Sequence, residues 1–287
     1  MGLRPPTVVA GLLVCALLLA ACDEAERPRA PAASAPTSST TTSATPSPKV
    51  DPPPAYSSWD LGAQPLPLRA DGLGEIRPTP PSLRERRYPT ADRLPPPVGG
   101  RFRATVEPVP PEVRRRSTWR PACPVPLDGL RYLTVSFRGF DGAAHTGELM
   151  VAAGEAEDVV SVFRALYAAD FPIEEMRVPS RGDLAAHPTG DGNNTAAFVC
   201  RPAVGIDSWS AHAYGLAVDV NPFMNPYQRG DVVVPELASS YLRRDWQRPG
   251  MIGPDSLVVR EFARIGWSWG GAWQNLKDYQ HFSATGR

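Results

Sequence analysis

The residues best suited to chemistry lie toward the C-terminus. The stretch Ser210-Ala211-His212-Ala213-Tyr214-Gly215-Leu216-Ala217-Val218-Asp219-Val220-Asn221-Pro222 reads as strand, tight turn, strand. Ser210 and His212 are two apart, which puts both on one face of an extended segment. Residues 216–220 are apolar apart from Asp219, the pattern of a buried strand carrying one carboxylate. A buried carboxylate requires a cation or a set of donors, because its desolvation is very costly. Farther on, Asp278-Tyr279-Gln280-His281 sets an acid and an imidazole three apart, one face of a helical turn. Together His212, Asp219 and His281 offer zinc two imidazoles and one carboxylate, and leave a fourth position for water. That is the ligand count of a catalytic zinc rather than a structural one. Asp278 then stands beside the open position as general base.

Ser-x-His-x-x-Gly-x-Ala-x-Asp over residues 210–219, followed at a distance by Asp-x-x-His, resembles the signature of the VanY-type zinc D-alanyl-D-alanine carboxypeptidases and the related L-alanyl-D-glutamate endopeptidases. Asp at position 278, where other branches carry Glu, resembles the endopeptidase-like branch. Asn194-Thr195-Ala196-Ala197-Phe198-Val199-Cys200-Arg201-Pro202, the Asn225-Pro226-Tyr227 segment and Gly266-Trp267-Ser268-Trp269-Gly270-Gly271 resemble an actinobacterial subgroup, and the likeness spans roughly residues 115–285. It implies an α+β fold, a small antiparallel sheet with flanking helices around one zinc (hedgehog/DD-peptidase-like). It also implies hydrolysis of peptidoglycan stem peptides, with Arg201 on an oxyanion or a substrate carboxylate and with Ser210, Asn194 and Thr195 as substrate contacts or site supports. If Arg201 binds a carboxylate, it points to a carboxypeptidase, whereas Asp278 points to an endopeptidase. A wall-binding lipoprotein that keeps the fold without catalysis is the reading from another class, and the intact Asp278 weighs against it.

The elements that position these residues start behind a leader. Arg4 and the apolar run 8–19 form a targeting segment, residues 1–21, and Leu19-Ala20-Ala21-Cys22 resembles a lipobox whose Cys22 is lipidated. This predicts an exported protein held by lipid on the outer face of a bacterial cell membrane. Residues 22–83, rich in Pro, Ser, Thr and Ala, read as a disordered tether. Residues 84–120 read as an extended arm with basic clusters at 84–87 and 114–116, expected to be a solvated, locally paired surface. Balanced charge, with 30 basic and 30 acidic residues, argues against a nucleic-acid partner. A monomer is expected.

The folded domain is expected over 121–287. Residues 130–137 and 145–151 read as a hairpin, 155–169 and 256–265 as amphipathic helices, 173–178 as a further strand and 180–194 as a long surface loop. Of the four cysteines, Cys15 falls in the leader and Cys22 at the lipobox. Cys123 and Cys200 remain, either as a disulfide in an oxidising compartment or as two buried thiols. His145 reads as a surface or hairpin residue and His187 as part of the loop. A Ser/His/Asp triad with Ser210 as nucleophile is disfavoured, because Ser210 and His212 share one strand and no Gly-x-Ser-x-Gly elbow is present.

Overall fold

The computed structural model describes residues 55–203 and 207–286. The leader, Cys22 and residues 22–54 of the expected tether therefore lie outside the described residues.

Alternating apolar positions build the central hairpin. Strands β2 (Leu130–Arg138) and β3 (Ala144–Ala152) pair antiparallel from Leu130↔Ala152 to Arg138↔Ala144, and β1 (Ala104–Pro108) adds to the free edge of β2. Leu133, Val135, Leu149 and Val151 point to one side. Helix α1 (Pro111–Arg116) precedes the hairpin, and α2 (Ala156–Ala168) covers that apolar side with Val159, Val162, Phe163 and Leu166. Each such side chain, fully buried, contributes about 1.5–3 kcal/mol.

Two short parallel strands follow, β4 (Glu175–Met176) and β5 (Asn194–Thr195). Between them, helix α3 (Arg181–Ala185) starts on a capping box of Ser180 and Asp183, so the region expected as one loop carries a helix. Next come β6 (Ala217–Asp219) and the β7 (Tyr227–Arg229) and β8 (Val232–Val234) hairpin. Helix α4 (Leu257–Arg264), β9 (Ser268–Trp269), β10 (Lys277–Asp278) and β11 (His281–Ser283) complete the chain. The strand order β6-β11-β9 forms one sheet and β10-β7-β8 another, both antiparallel. An α+β class with small antiparallel sheets is what the structure has. No helix among the described residues is long and apolar enough to cross a membrane.

The β6-β11-β9 sheet shares its core with the central hairpin. Val218 and Phe282 join the same buried cluster, with Phe282 stacked 4.1 Å from Phe262 of α4. The Phe198 amide donates to the Met150 carbonyl, and Ala196 bridges Asp219, so residues 196–198 stitch the two sheets together.

Three expectations are corrected here. Residues 55–83, placed in the tether, pack onto the domain: Leu66 and Leu83 are buried in a second core cluster, and the described residues belong to one compact unit. The basic cluster at 84–87 is not all solvated, because the Arg86 side chain is only 1% exposed and forms a bidentate pair with Glu174 at 2.6 and 2.8 Å. Of the two readings of His145, the hairpin one holds, since it lies in β3, and the surface one does not. His145 is buried, with Nδ1 2.8 Å from Asp92 and Nε2 3.1 Å from Asp141, which ties the arm to the hairpin turn.

Candidate metal centre

His212 is carried by a turn, not by an extended strand. Residues Ala211–Tyr214 form a 3-10 turn in which the Ser210 hydroxyl accepts the His212 amide, and Gly215 closes it with φ 70°. That left-handed conformation suits glycine, and the Gly215 Cα is packed so closely on Ala152 that a Cβ would meet its amide at 2.5 Å. The turn aims the His212 ring inward, and its Nδ1 lies 2.6 Å from the Ala197 carbonyl. A carbonyl only accepts, so Nδ1 carries a proton, and in the neutral ring Nε2 then presents a lone pair.

Asp219 and His281 are directly opposite one another in the β6–β11 pair. Val218 and Phe282 fill the core, so alternation turns Asp219 and His281 to the other face. There three donor atoms converge. His212 Nε2 is 3.2 Å from both His281 Nδ1 and Asp219 Oδ2, and His281 Nδ1 is 3.0 Å from Asp219 Oδ1. With a neutral His212 ring a lone pair faces a carboxylate oxygen, and only a proton on Nε2 or a cation between the two removes that repulsion. Two imidazoles and one carboxylate form a donor set suited to zinc. Burial alone would raise the pKa of Asp219, yet positive charge at His212, then at His281, holds it far below the usual carboxylate range, as a cation at the same place would.

Asp278 and His281 are not on one helical turn. Asp278 ends β10 and His281 begins β11, and the chain turns between them. Asp278 still comes to the site: its pKa is pushed up to about 7 by burial, then by the charge of Asp219, against the lowering influence of His281 and Arg201. Its Oδ1 is buried without a hydrogen-bond partner among the described residues. An orphaned carboxylate oxygen beside three converging donors fits a site meant to hold a cation and its reactants. Gly270 permits this approach, since a Cβ there would stand 2.7 Å from the Asp278 carbonyl oxygen and 2.9 Å from its Cβ. The Trp273 ring lies 5.4 Å from that of His281.

Other expected site residues are placed differently. Arg201 is half-buried and close enough for its charge to reach Asp278, while its Nη1 donates to the Pro202 carbonyl. Thr195 is fully buried, its hydroxyl accepting the Asn221 amide, and Asn194 exchanges two hydrogen bonds with the Arg177 backbone. Thr195 thus serves the backbone just after β6, Asn194 the backbone just after β4, and Ser210 the His212 turn. Cys123 and Cys200 are joined in a disulfide. The sequence reading missed the Ala197 carbonyl that fixes His212, since a backbone acceptor leaves no trace in residue type. It also passed over Gly270 as a close-approach position, although the Gly270-Gly271 doublet marks one.

A family model described as D-alanyl-D-alanine carboxypeptidase matches residues 205–284. The matched region contains His212, Asp219, Asp278 and His281, and it leaves out Arg201. The chain is thereby similar to a peptidase family over its C-terminal part. No curated protein and no solved structure matched the chain.

Proposed function

We propose that the protein is a zinc-dependent metallopeptidase that hydrolyses peptide bonds in peptidoglycan stem peptides, of the D-alanyl-D-alanine carboxypeptidase type. The observation that carries this reading is the convergence of His212, Asp219 and His281 beside a buried, unpartnered Asp278 oxygen. The family similarity over the same residues supports it.

His212, Asp219 and His281 would hold the zinc. When bound, zinc supplies a Lewis acid that polarises a carbonyl and lowers the pKa of water from about 15.7 toward 7. The Ala197 carbonyl holds the His212 ring in its donating tautomer, a constraint that raises ligand basicity. Asp278, whose carboxyl is held above the ordinary aspartate range by burial, takes a proton from water and returns it to the leaving amine. Arg201 brings positive charge to the same side, for a developing oxyanion or for a substrate carboxylate.

We place the protein on the outer face of the membrane, held by lipid at Cys22. Conversion of Cys22 to Ser should release it from the membrane fraction. The activity is tested on defined muropeptides with protein of measured zinc content. Release of terminal D-alanine, lost on chelation and restored by zinc, is the expected result. Zinc uptake with no cleavage of any stem would instead leave a binding protein.

A further inference from the structure

A separate cavity of about 560 Å³ opens beside β3, lined by Arg93, Arg116, Glu148, Arg177 and Asp183. Its guanidinium groups are held from behind. Glu148, only 8% exposed, takes both Arg116 Nη atoms, the Tyr132 hydroxyl at 2.7 Å and the Val178 amide at 3.2 Å. Arg177 gives Nη1 and Nη2 to the two oxygens of Asp183 at 2.7 and 2.9 Å, and Nε to Glu175 at 2.9 Å. Arg93 leans on the same Glu175 oxygen with Nε at 3.0 Å and Nη2 at 2.8 Å.

Such pairing orients the arginines without exhausting them, because a guanidinium has more N–H groups than one carboxylate accepts. The three arginines are balanced by Glu148, Glu175 and Asp183. A dianion would therefore meet little net field, whereas a single carboxylate gains from an oriented, bidentate guanidinium edge. The cavity also faces the right way. Leu149 and Val151 of β3 share a core cluster with Val218 and Phe282. By strand alternation Glu148 lies on the side of β3 turned from that cluster, as Asp219 and His281 lie on the side of β6 and β11 turned from it. The sheets are joined along that path by the Phe198–Met150 and Ala196–Asp219 contacts.

We propose that this cavity is a second substrate subsite, which holds a side-chain carboxylate of the stem peptide away from the bond that is cut. The proposal rests on the peptidase reading above. Its test compares a synthetic stem peptide carrying free side-chain carboxylates with a twin in which those groups are amidated and the C-terminal carboxylate is kept. Arg93→Gln is the first variant, because that side chain is 60% exposed and its loss leaves Glu175 paired with Arg177. The double variant Arg116→Gln/Glu148→Gln is the second, since it strands no buried charge.

For both variants KM for the carboxylate peptide should rise about tenfold, the worth of one charge-assisted hydrogen bond, with kcat unchanged. The amidated peptide should show no change. Unchanged KM in both variants, or an equal loss on both peptides, overturns the subsite. Arginine side-chain resonances of the zinc-loaded protein, followed while each peptide is added, separate the two readings. Carboxylate-dependent shifts at Arg93 or Arg116 without hydrolysis would keep the subsite and remove the peptidase. Hydrolysis with no such shifts would do the reverse.

Discussion

Two buried charged clusters in this domain are built on opposite terms. Around Arg86 the ionised groups are answered: Glu174 takes Nε and Nη2, the Asp191 carbonyl takes Nη1, and Asn193 adds a bond to Glu174. The guanidinium also lies over the Phe223 ring at 4.4 Å. At the candidate metal centre, by contrast, three ligand atoms crowd on one point and Asp278 Oδ1 has no partner among the described residues. A satisfied buried network holds a fold, whereas an unsatisfied one is costly unless a ligand completes it. The difference assigns the first cluster to stability and the second to chemistry, and substitutions in each should fail in different ways.

The largest effect is expected at Asp278. Asp278→Ala removes the proposed base but none of the three donors, so zinc content and thermal stability should hold. Turnover should fall by about 10²–10⁴-fold, the usual contribution of a positioned base. Steady-state rates at matched zinc content check this, and a variant as fast as wild type would remove Asp278 from the mechanism.

Arg86→Ala should show the opposite pattern. Removing one partner strands Glu174, 7% exposed, as an uncompensated buried charge. Such losses cost about 3–5 kcal/mol. Denaturant unfolding should show that loss, while the folded fraction keeps its zinc and its rate. If activity falls but stability does not, the Arg86 cluster belongs to the site after all.

This contrast also explains what was legible. The His212–Asp219 pair stood out because both residues lie in one short segment whose apolar run leaves a single carboxylate to be accounted for. The spacing of Asp278 and His281 was legible but its geometry was not. Three residues fit a helical turn as well as a strand–turn–strand, and only the pairing of β11 with β6 decides between them. Residues 55–83 were misread because composition registers many prolines and few apolar groups, and cannot register that Leu66, Leu83 and Trp59 find partners far along the chain. Trp59 donates to Asp191, 132 residues away, and His145 meets Asp92 across 53. Long-range polar pairing leaves no local pattern.

A smaller effect concerns pH. Burial and the charge of Asp219 push the pKa of Asp278 up to about 7. As base it works deprotonated, so kcat/KM should fall as pH drops through that pKa, by about tenfold per pH unit. A cation at the three donors opposes the influence of Asp219, so the limb belongs between about 7 and the ordinary aspartate value of about 4. Zinc occupancy is measured at each pH, because protonation of the histidines releases metal over part of the same range. A profile still flat below about pH 4 with zinc retained would argue that no buried carboxylate acts as base.

The smallest effect tests the support of the metal centre. The Ser210 hydroxyl accepts the His212 amide at 3.3 Å and so caps the turn that aims the ring. Ser210→Ala should cost about 1 kcal/mol, as cap losses do. Part of that cost should appear as weaker zinc binding, by a few-fold, because the His212 ring loses its fixed approach. KM for the stem peptide at saturating zinc should stay as it was. If Ser210 instead touches substrate, the pattern reverses, with KM rising while zinc affinity is untouched. Zinc titration against a chelator, run beside steady-state kinetics on the same two proteins, distinguishes a hydroxyl that holds the metal-bearing turn from one that holds the peptide.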